Sequence, residues 1–427
     1  MSKKANSKAL FLLFLANIIS GFSQGLSMIA IPWYFAKSYQ SNFFNVGYGF
    51  ITLLILFFGL YAGTLVDKYS RKKNFLFLNL ICGILLLSVA SIGFAQQSLS
   101  PYLVISIFAI TLLNYNIHYP TLYAFVHEIT EPSQYQRVNS WIEIVGQSTS
   151  ILSGALAAIL IDGVDPNVNK IAGITHNLHI SIPKWEIWEI FLLDATTYFI
   201  AVALIAGIKY APVLKPTIEL GSVLQRIKTG FSYLKSNKPL LVFGLFSYSV
   251  FAALIVCIHS LLPIYVEQHL NEDGSVFAAA DLIYAIGALS AGLFVGKVFG
   301  SIQSVNTIIW LTLLAAVLFI WASLTQQVWI IYVFCLFLGF CNAGIRVLRL
   351  TYFFQHIPNE IMGRVNSIFN MSNVLTRSIF IFLFSISFFT TANHVLYAFM
   401  VLSGYLLLSG IILIWFKTPV SKNANNQ

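Results

Sequence analysis

The feature that most constrains the fold of this chain is a series of twelve long apolar runs. A helix that crosses a bilayer needs about 20 predominantly apolar residues. The runs lie at approximately 10–35, 46–66, 74–95, 102–126, 139–161, 187–208, 240–266, 277–299, 305–324, 328–350, 366–390 and 395–416. Because only 9% of the 427 residues are charged and 58% are hydrophobic, a single soluble core would not bury them. We therefore predict an all-α integral membrane protein with twelve transmembrane helices.

The basic residues are distributed unevenly between the two sides of the predicted membrane. With both termini placed in the cytoplasm, the inner segments hold 18 of the 24 Lys and Arg residues and the outer segments hold three. This asymmetry follows the positive-inside rule. It accounts for the net charge of +9 without a polyanionic partner, so we expect no binding to nucleic acid. The first run is too long for a signal peptide, and we predict that it is a retained first helix.

Three short stretches recur, in order, at a nearly constant offset. The pairs are GTLVDK at 63–68 with GLFVGK at 292–297, RVNS at 137–140 with RVNS at 364–367, and PWY at 32–34 with PIY at 263–265. This pattern indicates a duplicated unit, which is typical of transporters built from two parallel six-helix halves. We predict an N-terminal six-helix bundle at 1–208, a cytoplasmic linker at 209–239, and a C-terminal six-helix bundle with a short tail at 240–427.

The linker contains LGSVLQRIKTGFSYLKSNK, whose apolar residues have helical spacing. The residues predicted to share one face are Leu220, Val223, Leu224, Ile227 and Phe231. We expect an amphipathic helix that lies on the cytoplasmic surface.

The loop between spans two and three, GTLVDKYSRKK, concentrates one acidic and four basic residues. It resembles the signature loop of the major facilitator superfamily, G-x-L-x-D-R-x-G-R-K. The matching residues are Gly63, Leu65, Asp67, Arg71 and Lys72, with Lys68 as a conservative replacement and Ser70 in place of the second glycine. The second copy has Gly296 where the acid would be, which is also usual in this family. The resemblance covers the whole chain and implies two six-helix pseudo-repeats.

Within this superfamily the chain is most similar to the bacterial efflux branch that includes macrolide and siderophore exporters. FLLDATTYFIAV at 191–202 and PNEIMGRVNSIF at 358–369 carry this likeness. Two motifs of proton-linked drug antiporters are missing, since span four reads LLNYNIHYPTLY without an arginine and span five reads ILSGALAAIL. The likeness implies a multi-pass protein of a bacterial cytoplasmic (inner) membrane.

The resemblance also implies a gating role for the loop residues Gly63, Asp67, Lys68, Arg71 and Lys72. In this family the loop acid docks on the N-terminal end of span eleven, where a carboxylate is favoured by the helix dipole. Asp67 would then act as a latch that biases one of two conformational states, with Arg71 paired to Glu128 or Glu131. The alternative is that the loop is a topology signal with an incidental acid.

Polar and ionisable side chains inside spans are costly, and each needs a partner, water or a function. The candidate residues for a proton or substrate pathway are Asn17, Gln24, His118, Glu143, Gln147, His259, Arg346, Asn370, Asn373 and Arg377. Spans five and eleven carry matching polar stripes, one with the acid Glu143 and one with the base Arg377. Each stripe either faces the central cavity or forms a hydrogen-bonded seam between helices.

Several of these residues leave two interpretations open. His118 and His259 are either proton carriers or neutral, hydrogen-bonded core residues. Arg346 either meets an anionic substrate or extends to the lipid headgroups, an interpretation that suits Arg349 well. Asp194 and Asp281 are interpreted as mainly structural.

The sequence thus predicts a secondary transporter that moves a small organic molecule by alternating access, with efflux favoured by the family likeness alone. No Walker A string or nucleotide-binding domain is present, so we expect an ion gradient, most simply of protons, to supply the energy. We expect a monomer in the lipid bilayer, with no enzymatic activity, cofactor or metal. The alternatives are an uptake permease, a membrane-embedded enzyme, or a sensor or scaffold with the carrier fold.

Overall fold

The computed structural model describes residues 6–38, 40–68, 70–131, 134–164, 170–171, 174–175, 181–210, 223–298 and 304–425. Within these ranges the helices are α1 Ser7–Lys37, α2 Ser41–Lys68, α3 Arg71–Gln96, α4 Pro101–Ile129, α5 Tyr135–Leu160, α6 Ile187–Ala206, α7 Val223–Ser236, α8 Lys238–Leu270, α9 Gly274–Val298, α10 Ser304–Ser323, α11 Val328–His356, α12 Asn359–Phe384 and α13 Val395–Asn425. The strands β1 (Lys170–Ile171) and β2 (Ile174–Thr175) form a short antiparallel pair between α5 and α6.

Eleven of these helices contain a segment long and apolar enough to cross a membrane, and the shorter apolar stretch Ile144–Leu160 of α5 supplies the twelfth. The amphipathic α7 lies between the sixth and seventh spans in chain order. The prediction of an all-α membrane fold with twelve spans is confirmed. In hydrocarbon every backbone N–H and C=O must be satisfied within the chain, and a helix does this locally.

Local signals in the sequence mark where several helices begin. The Asn6 side chain accepts a hydrogen bond from the Ala9 amide, 3.0 Å, at the start of α1. At the start of α6, Glu186 and Glu189 form a capping box, in which the Glu189 carboxylate accepts from the Glu186 amide at 2.7 Å. These caps satisfy amides that have no partner within the helix.

Contacts divide the chain into two compact units. The first unit comprises Met1–Gln40, Leu54–Ile218 and Asp273–Leu282, and the second comprises Ser41–Leu53, Glu219–Glu272 and Ile283–Gln427. The start of α2 therefore packs with the second unit, and the start of α9 packs with the first. The domain boundaries at 208/209 and 239/240 stay a prediction of the sequence.

Two glycines in the second unit bring α9 and α11 together at backbone distance. A Cβ atom on Gly287 would overlap the carbonyl oxygen of Leu336, and a Cβ on Gly339 would overlap the carbonyl oxygen of Tyr284. Small residues at such crossings let membrane helices pack closely, because dispersion contacts rather than hydrophobicity hold them together.

The seventh span, α8, departs from regular α-helical geometry in two places. Its turns at Cys257–Leu261 and Tyr265–Leu270 are π-helical, and Leu262–Ile264 between them contains Pro263. Proline has no N–H and its ring clashes with the preceding turn, so the helix widens around it. Single π-helical turns are frequent at functional sites. The first of these two turns, Cys257–Leu261, contains His259.

The linker helix α7 packs closely against α12 at Gly230. A Cβ atom at this position would lie only 2.9 Å from the Ile368 side chain and 3.0 Å from the Arg364 carbonyl oxygen. Leu234 is fully buried, whereas Phe231 is 54% exposed. Gly230 and Leu234 therefore lie on the face of α7 that packs against the protein, whereas Phe231, predicted to share the apolar face, is exposed. The position of α7 on the cytoplasmic surface stays a prediction. Leu220 and the side chains of Val223 and Leu224 lie outside the described residues.

Candidate functional site

Two bases of the signature loop hold the ends of neighbouring helices in the first unit. Arg71 is buried, and its Nε lies 3.5 Å from Oε1 of Glu128 at the end of α4. The Lys72 ammonium donates hydrogen bonds of 2.7 Å to the carbonyl oxygens of Ala206 and Ile208, at and just beyond the end of α6. Carbonyl groups at a helix C-terminus have no partner within the helix, and a cation is favoured there. These bases therefore support the bundle, in addition to any role in topology.

The phenol of Tyr210, just after α6, belongs to the same cluster. Burial and the negative charge of Glu128 raise the pKa of the Tyr210 phenol above its ordinary value. Of the two partners expected for Arg71, Glu128 is the one that it meets. The side chains of Gly63, Asp67 and Lys68 lie outside the described residues, so the latch stays a prediction.

Replacing Arg71 by alanine is expected to lower the thermal stability of the purified protein. The change removes a buried guanidinium beside Glu128, and we expect a loss of about 2 kcal/mol. Lys73→Ala, which removes an exposed base from the same loop, is the matched control. Equal melting temperatures for the two variants would show that the Arg71–Glu128 pair contributes nothing.

Three hydrogen-bonded pairs of buried polar groups lie inside the first unit and link α1, α4 and α6. His118 Nε2 lies 2.8 Å from the Asn17 amide oxygen, and the Ser27 hydroxyl donates to the Asp194 carboxylate at 2.7 Å. Between them, the Asn114 amide donates to the Tyr198 hydroxyl at 3.0 Å. His118 and Asn17 are each 7% exposed, which places them in the bundle interior. Of the two interpretations of His118, the hydrogen-bonded core residue fits this geometry.

The remaining first-unit candidates are less buried. Gln24 is partly exposed and donates a long hydrogen bond, 3.4 Å, to the Thr111 carbonyl oxygen. Gln147 on α5 is also partly exposed. The Glu143 side chain lies outside the described residues, and its role stays a prediction.

In the second unit, Tyr48 of α2, His259 of α8 and Arg377 of α12 form one cluster. The Tyr48 hydroxyl lies 3.3 Å from His259 Nδ1, with the two rings edge to face. The Arg377 guanidinium lies 5.7 Å from the centre of the Phe251 ring and interacts electrostatically with Tyr48 and His259. Among the described residues no hydrogen-bond partner reaches Arg377 Nε, which is buried. A half-buried guanidinium whose buried Nε is a spare donor is suited to an anionic ligand.

Sequence reasoning found His259 and Arg377 separately but missed Tyr48 and Phe251. Tyr48 lies on a different span with no sequence signal that links it to the other two. The π-helical turn and the fold bring them together.

The polar face of α12 is not uniform. The Asn366 amide oxygen accepts from the Tyr248 hydroxyl at 3.2 Å, and the buried Asn373 amide donates a long bond, 3.4 Å, to the Tyr248 carbonyl oxygen. Asn370, between them in sequence, is exposed. The stripe thus contains both a packing seam and a free polar group.

The interpretation of Arg349 as a side chain that extends to lipid headgroups is wrong. Arg349 is only 4% exposed, donates to the Ser247 carbonyl oxygen at 2.8 Å, and lies 3.5 Å from the centre of the Tyr248 ring. A carbonyl acceptor and a cation–π contact make this buried position tolerable. Arg346, expected to be the deeper of the two, is exposed.

The apolar helices, with polar groups buried between them, define a polytopic membrane protein. The family model of the Major Facilitator Superfamily matches residues 13–381, and the chain belongs to this superfamily. It is a multi-pass membrane transporter, as the signature loop predicted.

Curated relatives include the enterobactin exporter EntS of Shigella flexneri, which is 26% identical over 368 residues, covering 84% of this chain and 80% of the relative. EntS of Escherichia coli strain UTI89 is 26% identical over 372 residues with the same coverage.

Solved structures with the same fold include the nucleoside transporter NupG, with a TM-score of 0.67 and 13% identity over 96% of this chain and 98% of that one. The D-xylose–proton symporter has a TM-score of 0.66 and 12% identity over 94% of this chain and 97% of that one. At these identities the likeness concerns the fold alone.

Proposed function

We propose that this protein is a secondary active transporter that exports a small organic molecule across the cytoplasmic membrane by alternating access, driven by a proton gradient. The observation that carries the proposal is the likeness to a siderophore exporter, which extends over 84% of the chain. The direction of transport rests on this likeness, since the fold is shared by importers and exporters.

The second-unit cluster supports an anionic group on the substrate. Arg377 is a half-buried cation whose buried Nε has no acceptor in the described part of the chain. His259 and the Tyr48 hydroxyl beside it offer further hydrogen bonds of adjustable direction. Carboxylates, phenolates and catecholates fit such a set of donors.

Asp67 is proposed as a latch and Glu143 as a proton-carrying group, as the sequence predicts. Arg71 and Lys72 support the latch proposal because they anchor the loop that carries Asp67 to α4 and α6. An anchored loop changes position only together with its bundle, which is what a two-state gate requires.

Everted membrane vesicles that contain the protein test the export proposal. Enterobactin, the compound named for the curated relative, is the first probe, followed by other catecholates and aromatic acids. We expect uptake into the vesicles when their interior is acidic, loss of uptake when an ionophore collapses the gradient, and no uptake by vesicles without the protein. Uptake only with the reverse gradient would favour an importer. Absence of flux for the whole panel would favour a sensor or scaffold.

A further inference from the structure

A cavity of about 250 Å³ lies between the end of α1 and the beginning of α6, inside the first unit. Both helices are membrane spans, α1 ending at Lys37 and α6 beginning at Ile187, so the cavity lies at the boundary of the membrane, on the predicted outer side. Its described lining residues include no candidate of the transport pathway and no residue of the signature loop. The proposed function therefore gives this cavity no role.

The cavity is apolar at one end and charged at the other. Ala30 and Ile190, which lie further into their spans, are buried. Lys37 and Lys184 line the other end, and their side chains are 47% and 46% exposed. Ala30 precedes Lys37 by two helical turns, which separates the two ends by about 10 Å. A lipid in a bilayer has the same order, with its charges at the boundary and its apolar part toward the membrane interior.

Three aromatic side chains line the cavity between these ends, namely Trp33, Tyr34 and Trp185. Trp33 stacks on Phe277 of α9 with ring centres 6.1 Å apart, and the Tyr34 hydroxyl donates to the Leu99 carbonyl oxygen at 3.3 Å. These contacts fix the two rings of α1 before any ligand arrives. Trp and Tyr are favoured at the level of lipid headgroups, and aromatic rings attract ammonium groups.

The charged end carries both signs. Lys184 Nζ lies 3.3 Å from Glu186 Oε1, and both side chains are nearly half exposed. Because such an exposed pair contributes little to stability, a ligand that carries both charges can replace it. Lys37 lies 2.8 Å from Asp162, but an ammonium has three donors and can bind a further acceptor. This end of the cavity therefore offers donors to an anionic group and a carboxylate to a cationic one.

We propose that the cavity binds the headgroup of a zwitterionic phospholipid of the phosphatidylethanolamine type, from the outer leaflet in the predicted topology. Lys184 and Lys37 donate to the phosphate, Glu186 accepts from the ammonium, and the first part of an acyl chain packs against Ala30 and Ile187. Sites for drug-sized ligands usually measure about 300–1,000 Å³, so a cavity of about 250 Å³ suits a headgroup better than a whole transported molecule. A headgroup with only a negative charge would meet the Glu186 carboxylate without a cation to pair with it.

Native mass spectrometry of the purified full chain in detergent measures this binding. The probes are a phosphatidylethanolamine and a phosphatidylglycerol with the same acyl chains, and the water-soluble glycerophosphoethanolamine. We expect the first bound phosphatidylethanolamine to have a dissociation constant roughly 2- to 5-fold lower than phosphatidylglycerol, because one exposed ion pair distinguishes them. The soluble headgroup should bind more weakly than the lipid, because it has no apolar end.

Three variants assign the binding to this cavity. Lys184→Ala should weaken phosphatidylethanolamine binding by roughly 2- to 5-fold. Glu186→Gln keeps an oxygen that can cap α6 but loses the charge, so it should abolish the preference for phosphatidylethanolamine without weakening phosphatidylglycerol binding. Lys73→Ala removes an exposed base that does not line the cavity, and it should bind both lipids as the wild type does.

The proposal is overturned if the wild type binds phosphatidylethanolamine no more tightly than phosphatidylglycerol, or if Lys184→Ala and Lys73→Ala bind it equally. Equal affinity for glycerophosphoethanolamine and the lipid would also overturn it, and would assign the cavity to a soluble metabolite. Because these measurements omit the transported molecule, their failure leaves the export proposal to its own vesicle assay.

Discussion

Changing Gly287 to alanine is expected to destabilise the second unit by about 3 kcal/mol, the upper end of the usual cost of overpacking. The new methyl group would overlap the backbone carbonyl of Leu336, and a backbone atom cannot rotate away as a side chain can. Gly339→Ala should have a similar effect, because its methyl group would overlap the Tyr284 carbonyl oxygen and lie 3.0 Å from the Ala288 amide. The melting temperature in detergent, followed by size-exclusion fluorescence, measures both.

Gly404→Ala is the matched control for these two variants. Gly404 lies in the interior of α13, and no described heavy atom lies within 4 Å of the position that its Cβ would take. Alanine at such a site removes conformational freedom from the unfolded chain and should be neutral or stabilising by about 0.4–1 kcal/mol. If Gly287→Ala melts at the same temperature as Gly404→Ala, the close crossing of α9 and α11 is wrong.

Arg377→Ala is expected to lower the transport of an anionic substrate by roughly 10- to 150-fold while the protein stays folded. A hydrogen bond to a charged group contributes about 1.5–3 kcal/mol, and every 1.4 kcal/mol corresponds to a tenfold change in affinity. Arg377→Lys keeps the charge but loses Nε and the planar geometry, so it should recover only part of the activity. Concentration-dependent uptake into everted vesicles measures the change as a raised half-saturation constant.

Two further variants make the Arg377 test specific. Lys235→Ala removes an exposed base from α7 and should transport normally. Tyr48→Phe keeps the ring against His259 but removes its hydroxyl, and a smaller loss of roughly 2- to 10-fold is expected. Normal transport by Arg377→Ala would instead make the polar face of α12 a packing seam.

The twelve spans and the family follow from the sequence alone for local reasons. A helix satisfies its own backbone in lipid, so a run of about 20 apolar residues already requires one. The signature loop is recognised from a local residue pattern, but the groups that Arg71 and Lys72 bind, Glu128 and the end of α6, lie far away in sequence. The predicted choice between Glu128 and Glu131 was left open because their positions relative to Arg71 depend on how α4 packs.

Which face of each helix turns inward was decided only by the tertiary structure. On the first span the sequence predicted Asn17 and Gln24 as pathway residues, whereas the buried polar residues of α1 are Asn17, Ser20, Ser23 and Ser27. In a membrane helix both lipid and neighbouring helices are apolar, so the periodicity that marks the buried face of a soluble helix is weak.

The same cause explains two other differences from the sequence prediction. Arg349 rather than Arg346 is the buried base of α11, and three residues from different helices form one cluster, namely Tyr48, His259 and Arg377. The sequence by itself determined the number of membrane spans, the positions of the charges along the chain, and the superfamily. The tertiary structure decided which polar groups are buried together, because those pairs join helices far apart in sequence and depend on helix rotation, a π-helical turn and backbone contacts at glycine.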